Sequence, residues 1–174
     1  MVLDIVKVGY LRTNCYLLKK EGKVLVVDPG DEYLKIQNKI GDNEEIIGVI
    51  ITHNHPDHVG ALEYFEGDII YDYFNLEEGI HTIGPFTFEI LHTPGHKSDS
   101  ISIYFKEDKM MFTGDFLFRN TIGRTDFPTG SMQDMKESLK KVKVYDKDIT
   151  VYPGHGMPTN LGYEIENNSY FNEV

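Results

Sequence analysis

Apolar and polar residues alternate over residues 2–8, a period of two that predicts a first β-strand. Residues 14–18 and 23–27 predict two more, joined by a tight turn at Glu21-Gly22. The third strand runs into Asp28-Pro29-Gly30, a turn signal, and Asp31 is placed to cap a helix over 32–40. Gly41-Asp42-Asn43 breaks that helix, and the run Ile46-Ile47-Gly48-Val49-Ile50-Ile51 then reads as a buried strand. Downstream the pattern predicts a short helix over 60–65 and a strand over 68–71, then an aromatic, irregular stretch to residue 76. A strand over 86–92 precedes a hairpin of 100–105 with 110–113 around Lys106-Glu107-Asp108-Lys109. Residues 116–130, rich in Gly, Thr, Arg and Pro, read as a long loop. Ser131 opens a helix to about residue 143, 150–152 form a last short strand, and 161–171 a closing helix. No linker or repeat interrupts this order, so a single domain over 1–174 is expected, with a mixed α/β (α+β) content.

Composition narrows the function classes. The formal net charge of −11 repels nucleic-acid phosphates and anionic membrane surfaces, so neither is an expected partner. The basic run Lys140-Lys141-Val142-Lys143 reads as the exposed end of a helix. No run approaches the ~20 apolar residues of a membrane span, and Met1-Val2-Leu3-Asp4-Ile5 carries an early acid, unlike a signal peptide. The single cysteine, Cys15, excludes an internal disulfide and lies in an apolar run as a buried thiol, which fits a reducing cytoplasm. A small-molecule substrate and a monomer or small homo-oligomer follow as expectations.

The chemistry concentrates in Thr52-His53-Asn54-His55-Pro56-Asp57-His58, directly after the 46–51 strand. Three of the seven histidines stand within six residues together with Asp57, too dense for isolated surface side chains. In extended backbone, residues two apart point the same way, so His53 and His55 can converge on one cation. Asp57 and His58, adjacent in sequence, face elsewhere, toward a second cation at the usual two-metal spacing of about 3.5–4 Å. His96, Asp115 and His155 recur in one local setting: a predicted strand, a glycine-bearing turn, then a potential ligand. The set of five His and two Asp suits two borderline cations, zinc by default with iron or manganese as substitutes. One arrangement gives three His to one metal, an Asp and two His to the other, and a bridging carboxylate. No cysteine stands among these positions, so a thiolate-rich structural zinc site is excluded. Asp28 is read either as a support behind the ligands or as a turn residue.

These stretches, with Asn14-Cys15-Tyr16, Val26 to Gly30, Thr93 to His96, Thr113-Gly114-Asp115, Gly123-Arg124-Thr125-Asp126 and Pro153 to Gly156, resemble the metallo-β-lactamase superfamily in the family's order. More closely they resemble its short glyoxalase II-like (hydroxyacylglutathione hydrolase-like) branch. The resemblance implies a four-layer αββα sandwich of two mixed sheets with outer helices. It implies that His53, His55 and His96 hold the first metal, that Asp57, His58 and His155 hold the second, and that Asp115 bridges them. It further implies a hydrolase in which a hydroxide shared by two metals attacks a thioester, S-lactoylglutathione or a related acyl-thiol, with Asp57 and Asp115 as the catalytic carboxylates. β-Lactamases often carry a cysteine where Asp115 stands, so the aspartate argues against antibiotic hydrolysis. Glyoxalase II proper carries a C-terminal helical domain that supplies much of its glutathione site. Only residues 156–174 follow His155, so those contacts are not expected. Arg119 and Arg124 are candidates to meet an acidic substrate, although Arg124 pairing with Asp126 is the preferred reading; Tyr71, Tyr73, Phe74 and Phe118 are candidates to line a cleft.

Three rival readings stand beside this one. A persulfide dioxygenase of the same superfamily shares the Gly123 to Phe127 run and would hold one iron on His53, His96 and Asp115. A nuclease is disfavoured by the acidic charge, and a non-catalytic relative by the complete ligand set.

Overall fold

The computed structural model describes residues 1–174, apart from the side chain of Asp68. Strands β1 (Val2–Val8), β2 (Thr13–Lys20), β3 (Lys23–Val27), β4 (Glu45–Ile50) and β5 (Ile70–Tyr71) form one sheet in that order. Its first three strands are antiparallel and its last three run parallel. Between them lie α1 (Tyr33–Gln37), after β3, and α2 (Pro56–Val59), after β4. The second sheet is built from β6 (Gly79–Ile83), β7 (Phe86–His92), β8 (Ile101–Phe105) and β9 (Met110–Gly114), followed by β12 (Thr150–Pro153) and β13 (Thr159–Asn160). Its order is β13-β12-β9-β8-β7-β6, with β12 parallel to β9 and the other pairings antiparallel. A two-residue ribbon, β10 (Leu117–Phe118) with β11 (Thr121–Ile122), precedes α3 (Met132–Lys143), and α4 (Leu161–Asn167) closes the order.

The apolar pattern explains the layering. Strand β2 is buried on both faces, so it reads as a near-continuous apolar run. Its Tyr16 and Leu18 join Leu25, Phe86, Phe88 and Phe112 in a core between the two sheets. Cys15 and Leu17 point the other way, into a core with Val24, Val26 and Ile36 beneath α1. A third cluster, including Met111, Val151, Met135, Leu139 and Phe171, fills the space under α3 and the C-terminal segment. Three apolar layers therefore separate helix, sheet, sheet and helix, the expected αββα sandwich. Burial and the neighbouring Asp28 carboxylate push the Cys15 thiol well above its ordinary value, so it is an inert core residue.

Several elements differ from the expectation. The helix at 32–40 is only five residues long, and Asp31 does not cap it. Asp31 Oδ1 instead accepts the adjacent Glu32 N–H at 2.6 Å, and Glu32, at φ 48°, occupies the cap position with no side-chain bond. The expected strand at 68–71 is reduced to its last two residues after a 3₁₀ turn at Gly67–Ile69, and the helix at 60–65 is a single 3₁₀ turn at Leu62–Tyr64. The 116–130 loop contains the β10–β11 ribbon, turned by Asn120 at φ 62°. Ser131 caps α3 as expected, accepting the Asp134 N–H. The C-terminal segment packs on α3 through Leu161 and Phe171 and braces the ribbon, where Asn120 N–H and Asn168 Nδ2 each donate to Glu164 Oε2.

Candidate metal centre

The seven candidate ligands meet at one end of the two sheets. His53 and His55 follow β4, His96 follows β7, Asp115 follows β9 and His155 follows β12. These strand ends face the same way within each sheet, because β7, β9 and β12 run in one direction. Asp57 and His58 are not on extended backbone. Pro56 starts a four-residue helix there, a favourable first helical position for proline; Asp57 and His58 join His155, while the His58 ring stays 4.2 Å from the His53 ring. Adjacent residues thereby serve a separate group, by helix geometry rather than strand alternation.

Ring nitrogens converge where the first cation is expected. His55 Nδ1 lies 3.0 Å from His53 Nε2 and 3.0 Å from His96 Nε2. Cation–nitrogen bonds of about 2.0–2.1 Å at tetrahedral angles place neighbouring ligand nitrogens about 3.3 Å apart. Beside this group, Asp57, His58 and His155 bring three ligand atoms within 4.8 Å of one another. Asp115 lies between the two groups. Its Oδ2 is 3.7 Å from His96 Nε2 and 3.5 Å from His155 Nε2, and its Oδ1 is 3.4 Å from His58 Nε2.

The surroundings fix which nitrogen each histidine presents. A carbonyl can only accept, so His96 Nδ1 must donate to Arg124 O at 2.7 Å and His155 Nδ1 to Leu11 O at 3.2 Å. His58 Nδ1 donates to Asp28 Oδ2 at 2.8 Å. Thr52 Oγ1–H donates to the same Asp28 oxygen at 2.6 Å, leaving its lone pair to accept from His53 Nδ1 at 3.2 Å. All four rings therefore turn Nε2 into the cluster, the orientation that supporting partners impose on metal-binding histidines. Asp28, 1% exposed, is the common anchor, which decides its reading in favour of a support.

The donor set fits divalent cations. Among the described residues, His58 Nε2 and Asp115 Oδ1 are buried without a hydrogen-bond partner, although such atoms are costly to leave unmatched. Space is also kept open around them: a Cβ on Gly154 would stand 2.3 Å from Asp115 Oδ1 and 2.7 Å from the His58 ring. Electrostatics agree. Burial works against a charge on His58, yet the Asp28 and Asp115 carboxylates push it up to about 10. Burial likewise opposes charge on His155, but Asp115 and Asp57 push it up to about 9. The His155 hydrogen bond holds Asp57 below the usual carboxylate range against burial, and His155 and His58 do the same for the more buried Asp115. Burial, followed by the neighbouring His58, pushes His53 well below its ordinary value. The carboxylates thus demand positive charge at the cluster, which protons or cations can supply.

That competition has a measurable sign. Protein stripped with a chelator is expected to draw full stability from His58 and His155 below the unfolded-state histidine value of about 6.5. This contribution is lost as pH rises through about 9 and 10, the folded values of His155 and His58, because a raised folded value means the folded state holds the proton more tightly. Asp57 and Asp115, with lowered values, act oppositely: their contribution is present above about 3.9 and fades as pH falls. Urea midpoints measured from about pH 2 to 11 check both limbs, and a flat upper limb contradicts the histidine contribution.

Residues outside the ligand set fall variously. The Arg124 guanidinium is paired twice with Asp126, at 2.9 and 2.8 Å, and lies 4.3 Å from the Phe127 ring centre; Arg124 reaches the cluster through its carbonyl. Arg119 lies on the ribbon turn, 5.9 Å from the Tyr163 ring. Tyr71 and Tyr73 pack against the inter-sheet core, Phe74 is exposed, and only Phe118 of that group stands near a ligand, 6.4 Å from the His155 ring. Phe127, which the sequence did not single out, lies 5.8 and 5.9 Å from the His55 and His96 rings. Thr13 and the Leu11 carbonyl were also missed, since a threonine at a strand start carries no distinguishing signal.

Comparison with known proteins agrees with this arrangement. The family model described as "Metallo-beta-lactamase superfamily" matches residues 8–73 and 68–155. The chain belongs to the metallo-beta-lactamase superfamily of hydrolase-type, divalent-metal-binding enzymes. It is similar to hydroxyacylglutathione hydrolase GloC of Haemophilus influenzae, 31% identical over 209 residues, covering 99% of both chains. Among solved structures it resembles BLEG-1, described as a B3 metallo-beta-lactamase, with a TM-score of 0.91 and 26% identity over 97% of this chain and 99% of that one. It also resembles TTHA1623 in a di-iron-bound form, with a TM-score of 0.85 and 30% identity over 96% and 99% of the two chains. No helix is long and apolar enough to cross a membrane among the described residues.

Proposed function

We propose that the chain is a cytoplasmic hydrolase that cleaves a thioester, S-lactoylglutathione or a related acyl-thiol, at this cluster. The observation that carries the reading is the convergence of seven ligand side chains around His58 Nε2 and Asp115 Oδ1, two buried atoms without partners. His53, His55 and His96 would hold one cation, Asp57, His58 and His155 the other, and Asp115 would reach both, with zinc the natural choice for imidazole and carboxylate donors. Bound there, such cations supply a water whose pKa falls from about 15.7 to near 7 and an electrophile for the substrate carbonyl.

The chain's own groups do the rest. Asp57, with a quarter of its side chain exposed, faces the open side of the cluster and is assigned to accept a hydrogen bond from the attacking water. Asp115 holds its charge through its neighbouring histidines and fixes the spacing of the two ligand groups. Phe127 and Phe118 stand beside the His96 and His155 rings. No acid is needed for the departing group, because a thiol with a pKa of about 8.5 leaves readily as thiolate. Arg119 is assigned to an acidic part of the substrate, since among the described residues its guanidinium has no ion pair. The likeness to GloC supports the thioester class, and the likeness to a di-iron form supports two cations.

The test is elemental analysis of protein purified without chelator or His-tag, alongside S-lactoylglutathione hydrolysis. About two divalent ions per chain, with hydrolysis lost on chelation, is the expected result. One iron per chain with oxygen uptake on a persulfide overturns it in favour of the dioxygenase, and turnover of a β-lactam without thioester cleavage favours the BLEG-1 likeness.

A further inference from the structure

Two members of the second ligand group, Asp57 and His155, are held by a single stretch of chain that contributes no ligand, while His58 is held by Asp28. At the start of β2, Thr13 is 1% exposed, and its Oγ1 donates to Asp57 Oδ2 at 3.0 Å. The same Asp57 oxygen lies 3.1 Å from His155 Nε2 and 3.5 Å from His58 Nε2. The next residue clamps the His155 turn. Asn14 N–H donates to Gly154 O at 2.8 Å, and Asn14 Nδ2 donates to Pro153 O and Gly156 O at 3.0 and 3.2 Å. Tyr16 OH reaches Pro153 O at 2.5 Å. Ahead of them, the turn from Gly9 to Arg12, left-handed at both ends, presents Leu11 O to His155 Nδ1. The contacts of the first group are different: His53 is held by Thr52 and His96 by Arg124 O.

We infer that Thr13 is a positioning residue for one cation of the pair: its hydroxyl selects Asp57 Oδ2 as the ligand atom and holds it toward His58 and His155. The hydroxyl proton occupies one lone pair of Oδ2 and leaves the other for the cation. Asp57 then binds through one oxygen at a fixed angle, rather than swinging between its two oxygens. The affinity of the Asp57–His58–His155 position depends on Thr13, and that of the His53–His55–His96 position does not. This rests on the two-cation reading above.

The test is cobalt titration of stripped protein, following calorimetry and the visible cobalt spectrum, for wild type, Thr13→Val and Thr13→Ser. Valine matches the shape of threonine and suits a strand, so folding is preserved while the donor is lost. In Thr13→Val one of the two binding steps is expected to loosen about 10–100-fold, the cost usual for lost supporting contacts, with its spectral band shifted and the other step unchanged. Thr13→Ser, which keeps the hydroxyl, is expected to restore both. Equal loosening of both steps, or no change in either, overturns the inference, as does failure of serine to rescue. Wild-type protein binding a single cobalt fails the two-cation reading instead. Thermal unfolding of the stripped variants completes the set: a variant that loosens cobalt only in proportion to lost stability also counts against a positioning role.

Discussion

Asp115→Ala is expected to lower hydrolysis by about a thousandfold and to reduce bound metal below one ion per chain. The carboxylate stands between the two ligand groups, 3.7 Å from His96 Nε2 on one side and 3.4 Å from His58 Nε2 on the other. Removing it takes a donor from both groups at once and leaves His58 and His155 facing each other with one fewer anion between them. Lewis-acid stabilisation by bound metal is worth several kcal/mol, and each 1.36 kcal/mol is tenfold in rate, so losing about 4 kcal/mol gives that factor. Asp115→Asn, which keeps the shape and removes the charge, is expected to fall in between. Metal analysis and thioester hydrolysis on the same preparations check the pairing of effects. The thermal shift on adding zinc, large in wild type because the ion binds only folded chain, is expected to shrink in parallel. Full activity and full metal content in Asp115→Ala would dispose of the shared-carboxylate scheme.

The histidine cluster was legible because its chemistry is local. Density of ligand types in 53–58, a preceding apolar strand and repeated glycine turns are all written in one dimension. The strands were legible for a related reason. A sheet buried on both faces demands continuous apolar runs, and β2, β3 and β8 provide them. What failed was decided by contacts across the fold. The α1 start is set by Asp31 bonding its neighbour rather than the helix end, a choice no propensity separates. The ribbon within 116–130 exists because the C-terminal segment packs on it, through Asn168 to Thr121 O and Glu164 to Asn120, more than forty residues away. Thr13 and the carbonyls of Leu11 and Arg124 could not be found either. A carbonyl has no residue type, and Thr13 lies forty-four residues from the aspartate it holds.

Asp28 shows the other side of this dependence and carries the second large effect. It sits fully inside the protein at φ 52°, accepting Thr52 N–H at 2.8 Å, Thr52 Oγ1–H at 2.6 Å and His58 Nδ1–H at 2.8 Å. Asp28→Ala leaves three buried donors without an acceptor and removes the partner of His58. Breaking a buried pair by deleting one member costs about 3–5 kcal/mol. Alanine in the left-handed region adds about 1–2 kcal/mol of strain that aspartate tolerates better. Against a typical domain stability of about 5–15 kcal/mol, this variant is expected to unfold near ambient temperature once stripped of metal. Asp28→Asn separates charge from structure. It keeps an acceptor oxygen and tolerates the same backbone, so its stability loss is expected to be smaller. Its metal affinity is nonetheless expected to fall about 10–100-fold, because an amide polarises the His58 ring less than a carboxylate does. Urea unfolding of stripped and zinc-loaded forms of both variants measures the two terms. A loss under about 1 kcal/mol in stripped Asp28→Ala would mean that water replaces the carboxylate behind His58. The buried Asp28–Thr52–His58 relay would then be dispensable to the fold.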